Sequence, residues 1–143
     1  MELLYTFLDS LVFGGNCLHS FSTEMQTKIF KMERKIETEE KYRLNGFTKL
    51  HWYAAQSLRK ELKKANQNRK QEFSKSKFDA IAHIWHFLNS EFKLAKKKKN
   101  LEDIPSKIAP EEFLEKLERE IHTRQRFGFS MLNITLFVLT VWA

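Results

Sequence analysis

The apolar pattern changes its period at Ser20, and that change limits the fold more than any other feature of the chain. Before it, Ser10 to Phe13 is a short, mostly apolar run closed by Gly14 and Gly15. Such a run reads as a buried strand meeting a tight turn. The two glycines let the backbone take positive φ or approach another group closely. Asn16 follows, with an amide that both donates and accepts. After Ser20 the apolar residues recur at steps of three and four, the spacing of amphipathic helices. With 143 residues, the chain has room for one domain and a core of modest size. The expectation is a mainly α-helical protein, with one strand at its start followed by about four helices.

The helices are expected near 23–37, 48–65, 77–96 and 110–124. In the first, Thr23 and Gln26 fit a capping box. Phe21, Met25, Ile29, Met32 and Ile36 form one apolar stripe, which reads as the core side. Lys28, Lys31, Arg34 and Lys35 fall on its solvated side. Asn45 and Gly46 signal a turn, after which Thr48 is placed to cap a second helix. Phe47, Leu50, Ala54, Leu58 and Leu62 mark the buried side of that helix, broadened by Trp52 and Tyr53. The third helix, opened by Ser76, buries Phe78, Ile81, Trp85, Leu88, Phe92 and Ala95. Pro110 suits the first position of a fourth, with Glu111 and Glu112 in its first turn. Phe113, Leu114, Leu117 and Ile121 form the apolar side of this last helix.

Charged residues make up 30% of the chain and the net charge is +7. An acidic partner such as nucleic acid suits that balance, and so does a merely solvated basic surface. The most basic stretch runs from Arg59 to Lys77. Lys63, Lys64, Arg69 and Lys70 are its candidate phosphate contacts. Phe73 is its one aromatic residue, which argues against base stacking on single strands. Lys96 to Lys99 complement a helix C-terminus and also resemble a nuclear import signal. The single cysteine, Cys17, cannot form an internal disulfide, which fits a reducing compartment. The amino terminus lacks the layout of a signal peptide.

No catalytic residue stands out. The five histidines are His19, His51, His83, His86 and His122. His51 sits among aromatics and reads as packed or hydrogen-bonded. His83 and His86 are one turn apart, but a metal site needs at least one more ligand, and the sequence offers nothing better than Glu91, two turns away. Phe127 to Ala143 carries no charge and, at seventeen residues, falls at the short limit of a membrane span, which takes about 20. Three readings stand for this tail: sequence introduced at an altered end, a buried strand or helix, and a tail anchor. The domain division is 1–20, 21–126 and 127–143.

The stretch from Asp9 to Ser20 resembles the final core strand of the JmjC-domain histone lysine demethylases, in the branch that pairs this domain with a PHD finger. Cys17 is the one departure, where that pattern has an aromatic residue. Tyr5 and Thr6 before it and Glu24 to Gln26 after it also fit. Tyr42 and Arg43, Phe47, and Trp52 with Tyr53 are similar to the helical block that follows the jelly roll. The resemblance implies that Ser10–Phe13 is a remnant jelly-roll strand, that 1–20 closes the barrel, and that Asn16 lies near the methylated lysine. It implies histone or chromatin as partner and the nucleus as location. It implies Fe(II) and 2-oxoglutarate as cofactors of a complete family enzyme, whose iron is held by a His-x-Asp/Glu pair and a later His. No histidine here has Asp or Glu two residues on, and an ungapped match puts Glu2 at the third ligand. The expectation is a carboxy-terminal part of a demethylase that is inactive alone and has no metal site. Two alternatives stand beside it: a non-enzymatic basic helical protein that binds chromatin or DNA without sequence preference, and a membrane protein anchored through 127–143. The sequence does not address the oligomeric state.

Overall fold

A computed structural model describes residues 19, 22–39, 44, 46–68 and 72–141, without the side chains of 127–141. Four helices follow one another: α1 (Thr23–Lys35), α2 (Phe47–Gln67), α3 (Lys75–Lys98) and α4 (Pro110–Val141).

Among the described residues there is no strand. This corrects the expected architecture of a jelly-roll strand followed by helices to an all-helical fold. The physical reason was available in the sequence. A lone strand leaves its N–H and C=O groups without a ladder, and none of the later segments offers a second strand to pair with. Ser10–Phe13 itself lies outside the described residues.

The helix starts are set by local chemistry. Gly46 takes φ +71° as N-cap of α2, a left-handed conformation that suits glycine. The helix therefore begins at Phe47, and Thr48 is buried inside it rather than capping it. Ser74, not Ser76, caps α3, its hydroxyl accepting from the Lys77 N–H at 3.3 Å. Pro110 opens α4 as expected. Glu112 lies in that first turn, and the Lys116 ammonium beside it holds its carboxyl below the usual range. At α1 the N-cap is Ser22 and not Thr23, its side chain makes no capping hydrogen bond to the backbone, and in place of the expected capping box Gln26 donates to the Ser22 hydroxyl at 2.8 Å.

α2 and α3 run antiparallel, since Phe47 meets Phe87 while Glu61 meets Lys77 at the other end. α4 runs parallel to α2, with Trp52 beside Phe113 and Asn66 donating to Glu120. The core lies between these three. Trp52, Leu62, Ile81, Phe87, Leu88 and Leu117 are its largest fully buried side chains, with Ala55, Ala65 and Ala80 buried beside them. Of the expected α2 positions, Leu50 and Tyr53 face solvent at 47% and 51% exposure, and Ala55 and Ala65 take the inward places. The Trp85 indole N–H donates to the Leu114 carbonyl at 3.1 Å, joining α3 to α4.

α1 lies along the outside of α3 and parallel to it, with Glu24 near His83 and Arg34 near Glu91. Its expected core stripe is reversed. Met25, Ile29, Met32 and Ile36 are exposed, while Thr23 and Thr27 are buried and Phe30 packs against the core. α4 also exceeds its expected end at Arg124, because its backbone continues as helix to Val141.

Candidate interaction surfaces

Thr23, Thr27, Phe30 and Arg34 recur at steps of three and four, like the apolar stripe opposite them. Phe30 stacks on Phe47 at 4.5 Å between centroids and meets the edge of Phe87 at 5.6 Å. The Arg34 guanidinium lies 4.8 Å from the Phe30 ring and donates to both oxygens of Glu91, at 2.6 and 3.3 Å. That fork-to-fork geometry is the strong form of the Arg–carboxylate pair. Arg34 was expected on the solvated side. Its partner lies 57 residues away in sequence, so no local signal announces it.

Arg34 and Glu91 line a cleft of about 390 Å³ together with Phe30, Trp52, Lys98 and Asp103. Its wall is mixed: an ion pair, an aromatic floor and further charges of both signs. Such a site suits a polar chain segment more than an apolar small molecule.

His51 is buried, 3% exposed, on α2. Its Nδ1–H donates to the Phe47 carbonyl at 2.8 Å, and its ring lies against Phe47 and Phe87. Burial pushes its pKa below the ordinary histidine value, opposed in part by that hydrogen bond. It is a packed histidine. His83 Nε2 lies 3.4 Å from Glu24 Oε2, and His86 sits edge-on to Trp85, so the two histidines serve different neighbours. Lys28, one turn on from Glu24, holds that carboxyl below its usual range by a hydrogen bond and by its charge, and His83 adds to this. Among the described residues no three His, Cys, Asp or Glu side chains converge as metal ligands.

Of the candidate site residues, Lys63 and Lys64 are exposed on α2, between the inward-facing Leu62 and Ala65. Arg69 and Lys70, their expected companions, lie outside the described residues, and so does Asn16. The structure thus leaves one half of the basic set on an open helix face. Among the described residues no helix is long and apolar enough to cross a membrane.

A family model described as the Jumonji helical domain matches residues 21–125, the span that holds α1, α2, α3 and most of α4. Curated relatives carry the same association. The chain is 27% identical to histone lysine demethylase PHF8 of Danio rerio over 125 residues, which are 85% of this chain and 12% of that protein. It is 33% identical to lysine-specific demethylase 7A of Danio rerio over 69 residues, 48% of this chain and 8% of that protein. It is 42% identical to lysine-specific demethylase 2B of Mus musculus over 53 residues, 37% of this chain and 4% of that protein. The chain spans about a tenth or less of the length of these relatives.

Proposed function

We propose, from the premise that this chain belongs to the Jumonji helical domain family, that it is the supporting helical block of a JmjC histone lysine demethylase and not its catalytic unit. The match over 21–125 carries this reading, because it covers the helices and not a barrel. In such an enzyme, Fe(II) and 2-oxoglutarate belong to the barrel, where a facial set of three protein ligands leaves positions open for the co-substrates. Among the described residues, His51 packs into the α1–α2–α3 core and His83 lies beside Glu24. The helices here contribute a body with its own core between α2, α3 and α4. Histone and chromatin enter as partners through the parent enzyme, with the nucleus as the place of action.

The test is a demethylation assay on the purified chain with Fe(II), 2-oxoglutarate, ascorbate and a methylated histone peptide. Formaldehyde should stay at the no-protein level. Release above it, lost on Asn16→Ala, would overturn the reading.

A second reading is favoured by Lys63 and Lys64, which stand exposed on one helix face. In it, the basic stretch lies along phosphates without reading sequence. DNA affinity should then fall steeply with salt, by roughly one decade per decade of salt for each phosphate neutralised. Reversing Lys63, Lys64, Arg69 and Lys70 to Glu should abolish binding, and an unchanged affinity would reject the assignment.

A further inference from the structure

α1 turns its larger apolar side to solvent. Met25, Ile29, Met32 and Ile36 are 66%, 49%, 63% and 67% exposed. Rolling the helix to hide them would break the Arg34–Glu91 fork and unstack Phe30 from Phe47. Among the described residues, α3 and the start of α2 hold α1 from the side opposite these four. The four recur at steps of four, three and four, which is the narrow seam of a coiled coil. In heptad terms, Ile29 and Ile36 take the a positions, where β-branched residues favour two strands. Met25 and Met32 take the d positions, where a flexible thioether fills uneven gaps. The edges of the seam differ in charge. Lys28 and Lys35 occupy the g positions along one edge, and Gln26 and Glu33 the e positions along the other.

We propose that the seam pairs with the same seam of a second copy of the chain, as a parallel α1–α1 dimer. The inference rests on α1 alone and goes beyond the family reading. Charge complementarity selects this occupant and this direction. In a parallel pair, each g residue meets the e residue five positions on in the other helix. Lys28 then faces Glu33 of the second copy, and two-fold symmetry forms the pair twice. An antiparallel pair would instead set Lys28 against Lys35 of the second copy, like against like. Lys28 already meets Glu24 of its own helix at 2.6 Å, but both side chains are exposed and an ammonium has three donors, so it can bridge the two carboxylates. α1 is also folded in advance against α3, so pairing does not bear the cost of forming the helix. With 13 residues α1 supplies fewer than two heptads, which makes the contact small and the dimer reversible. Its dissociation constant should lie on the order of 10–100 μM.

The experiment is sedimentation equilibrium on the full chain across the micromolar range. The average mass should rise with concentration from the 17.1 kDa of one chain toward twice that value. A single-chain mass throughout, as when another part of the same chain covers the seam, would overturn the proposal. In an Ile29→Gln, Met32→Gln variant the dissociation constant should rise at least about tenfold, with an unchanged helical circular dichroism spectrum because the substituted side chains are exposed. Self-association as tight as before, for instance through the uncharged 127–143, would also overturn it. Direction is tested with Lys28→Glu and Glu33→Lys, made in separate chains. Each variant alone sets like charges across the parallel seam, and an equal mixture restores both pairs. The mixture should associate about fivefold more tightly than either variant by itself. A mixture no tighter than its components would reject the parallel pairing.

Discussion

α1 and α4 carry apolar stripes that are equally clear in sequence, yet they use them oppositely. In α4, Phe113, Leu114, Leu117 and Ile121 are all buried, and Leu117 is fully enclosed. In α1, the three-four stripe faces solvent and the helix docks through a phenylalanine, two threonines and an arginine. Periodicity reports that one side of a helix is meant to leave water. It does not report which neighbour covers it. For α4 the neighbours are α2 and α3, inside the same core. For α1 no helix among the described residues covers the stripe.

The largest test of this contrast is truncation of one residue from each stripe. Leu117→Ala should lower unfolding free energy by about 2–5 kcal/mol, the usual cost of emptying an enclosed leucine site. Equilibrium urea denaturation measures it. A loss below about 1 kcal/mol would mean that the α4 stripe is not the core seam.

The second test addresses what holds α1. Arg34 is a third exposed and Glu91 is 12% exposed, so their fork is partly shielded from water. A double-mutant cycle with Arg34→Ala and Glu91→Ala should give a coupling of about 1 kcal/mol, above the median for exposed pairs and below that of a dry pair. Zero coupling would leave α1 held by the Phe30 contacts with Phe47 and Phe87 and by the Glu24–His83 pair.

The same contrast explains what could be read from the chain and what could not. The α4 start was legible because Pro110, Glu111 and Glu112 are local signals, and its buried side because all four apolar residues face one body. The extension of α4 through 127–141 was not, since an uncharged run of that length suits several structures. The α1 stripe was located correctly and its direction was misread. The deciding partners of Phe30 and Arg34 are Phe47, Phe87 and Glu91, which come close only once the helices pack. The lone strand was expected because a twelve-residue stretch resembles one, and the helical body offers it no ladder partner. Of the candidate site, Lys63 and Lys64 were legible as exposed basic residues. The ion-paired cleft was not, because its charges come from two separate helices, α1 and α3, and the loop that carries Asp103.

His51 gives a pH test at the α1–α2–α3 junction. Its pKa in the folded state is lowered by burial, so the folded protein binds a proton there less readily than the unfolded chain does. The stability this contributes is present above the unfolded value of about 6.5 and is lost as pH falls below it toward the folded value. The melting temperature should therefore drop between pH 7.5 and pH 5.5, and His51→Gln should flatten that part of the profile. Thermal unfolding followed by circular dichroism reads it. An identical slope in the variant would move the pH dependence to other groups.

The smallest expected effect sharpens the comparison from the other side. Lys77 and Glu61 join α3 to α2 at 2.7 Å, about the same distance as Arg34 and Glu91, but both side chains are nearly half exposed. A short distance alone does not make such a pair strong. Water screens both charges, and fixing two flexible side chains costs entropy that offsets the attraction. Lys77→Ala should therefore change unfolding free energy by roughly 0.5 kcal/mol or less, and 1 M salt should remove most of that. The Arg34–Glu91 coupling should survive the same salt better, because part of it is shielded and bidentate. If both pairs weaken equally in salt, the α1 fork is a surface ion pair like the other, and shape and stacking at Phe30 are what orient α1.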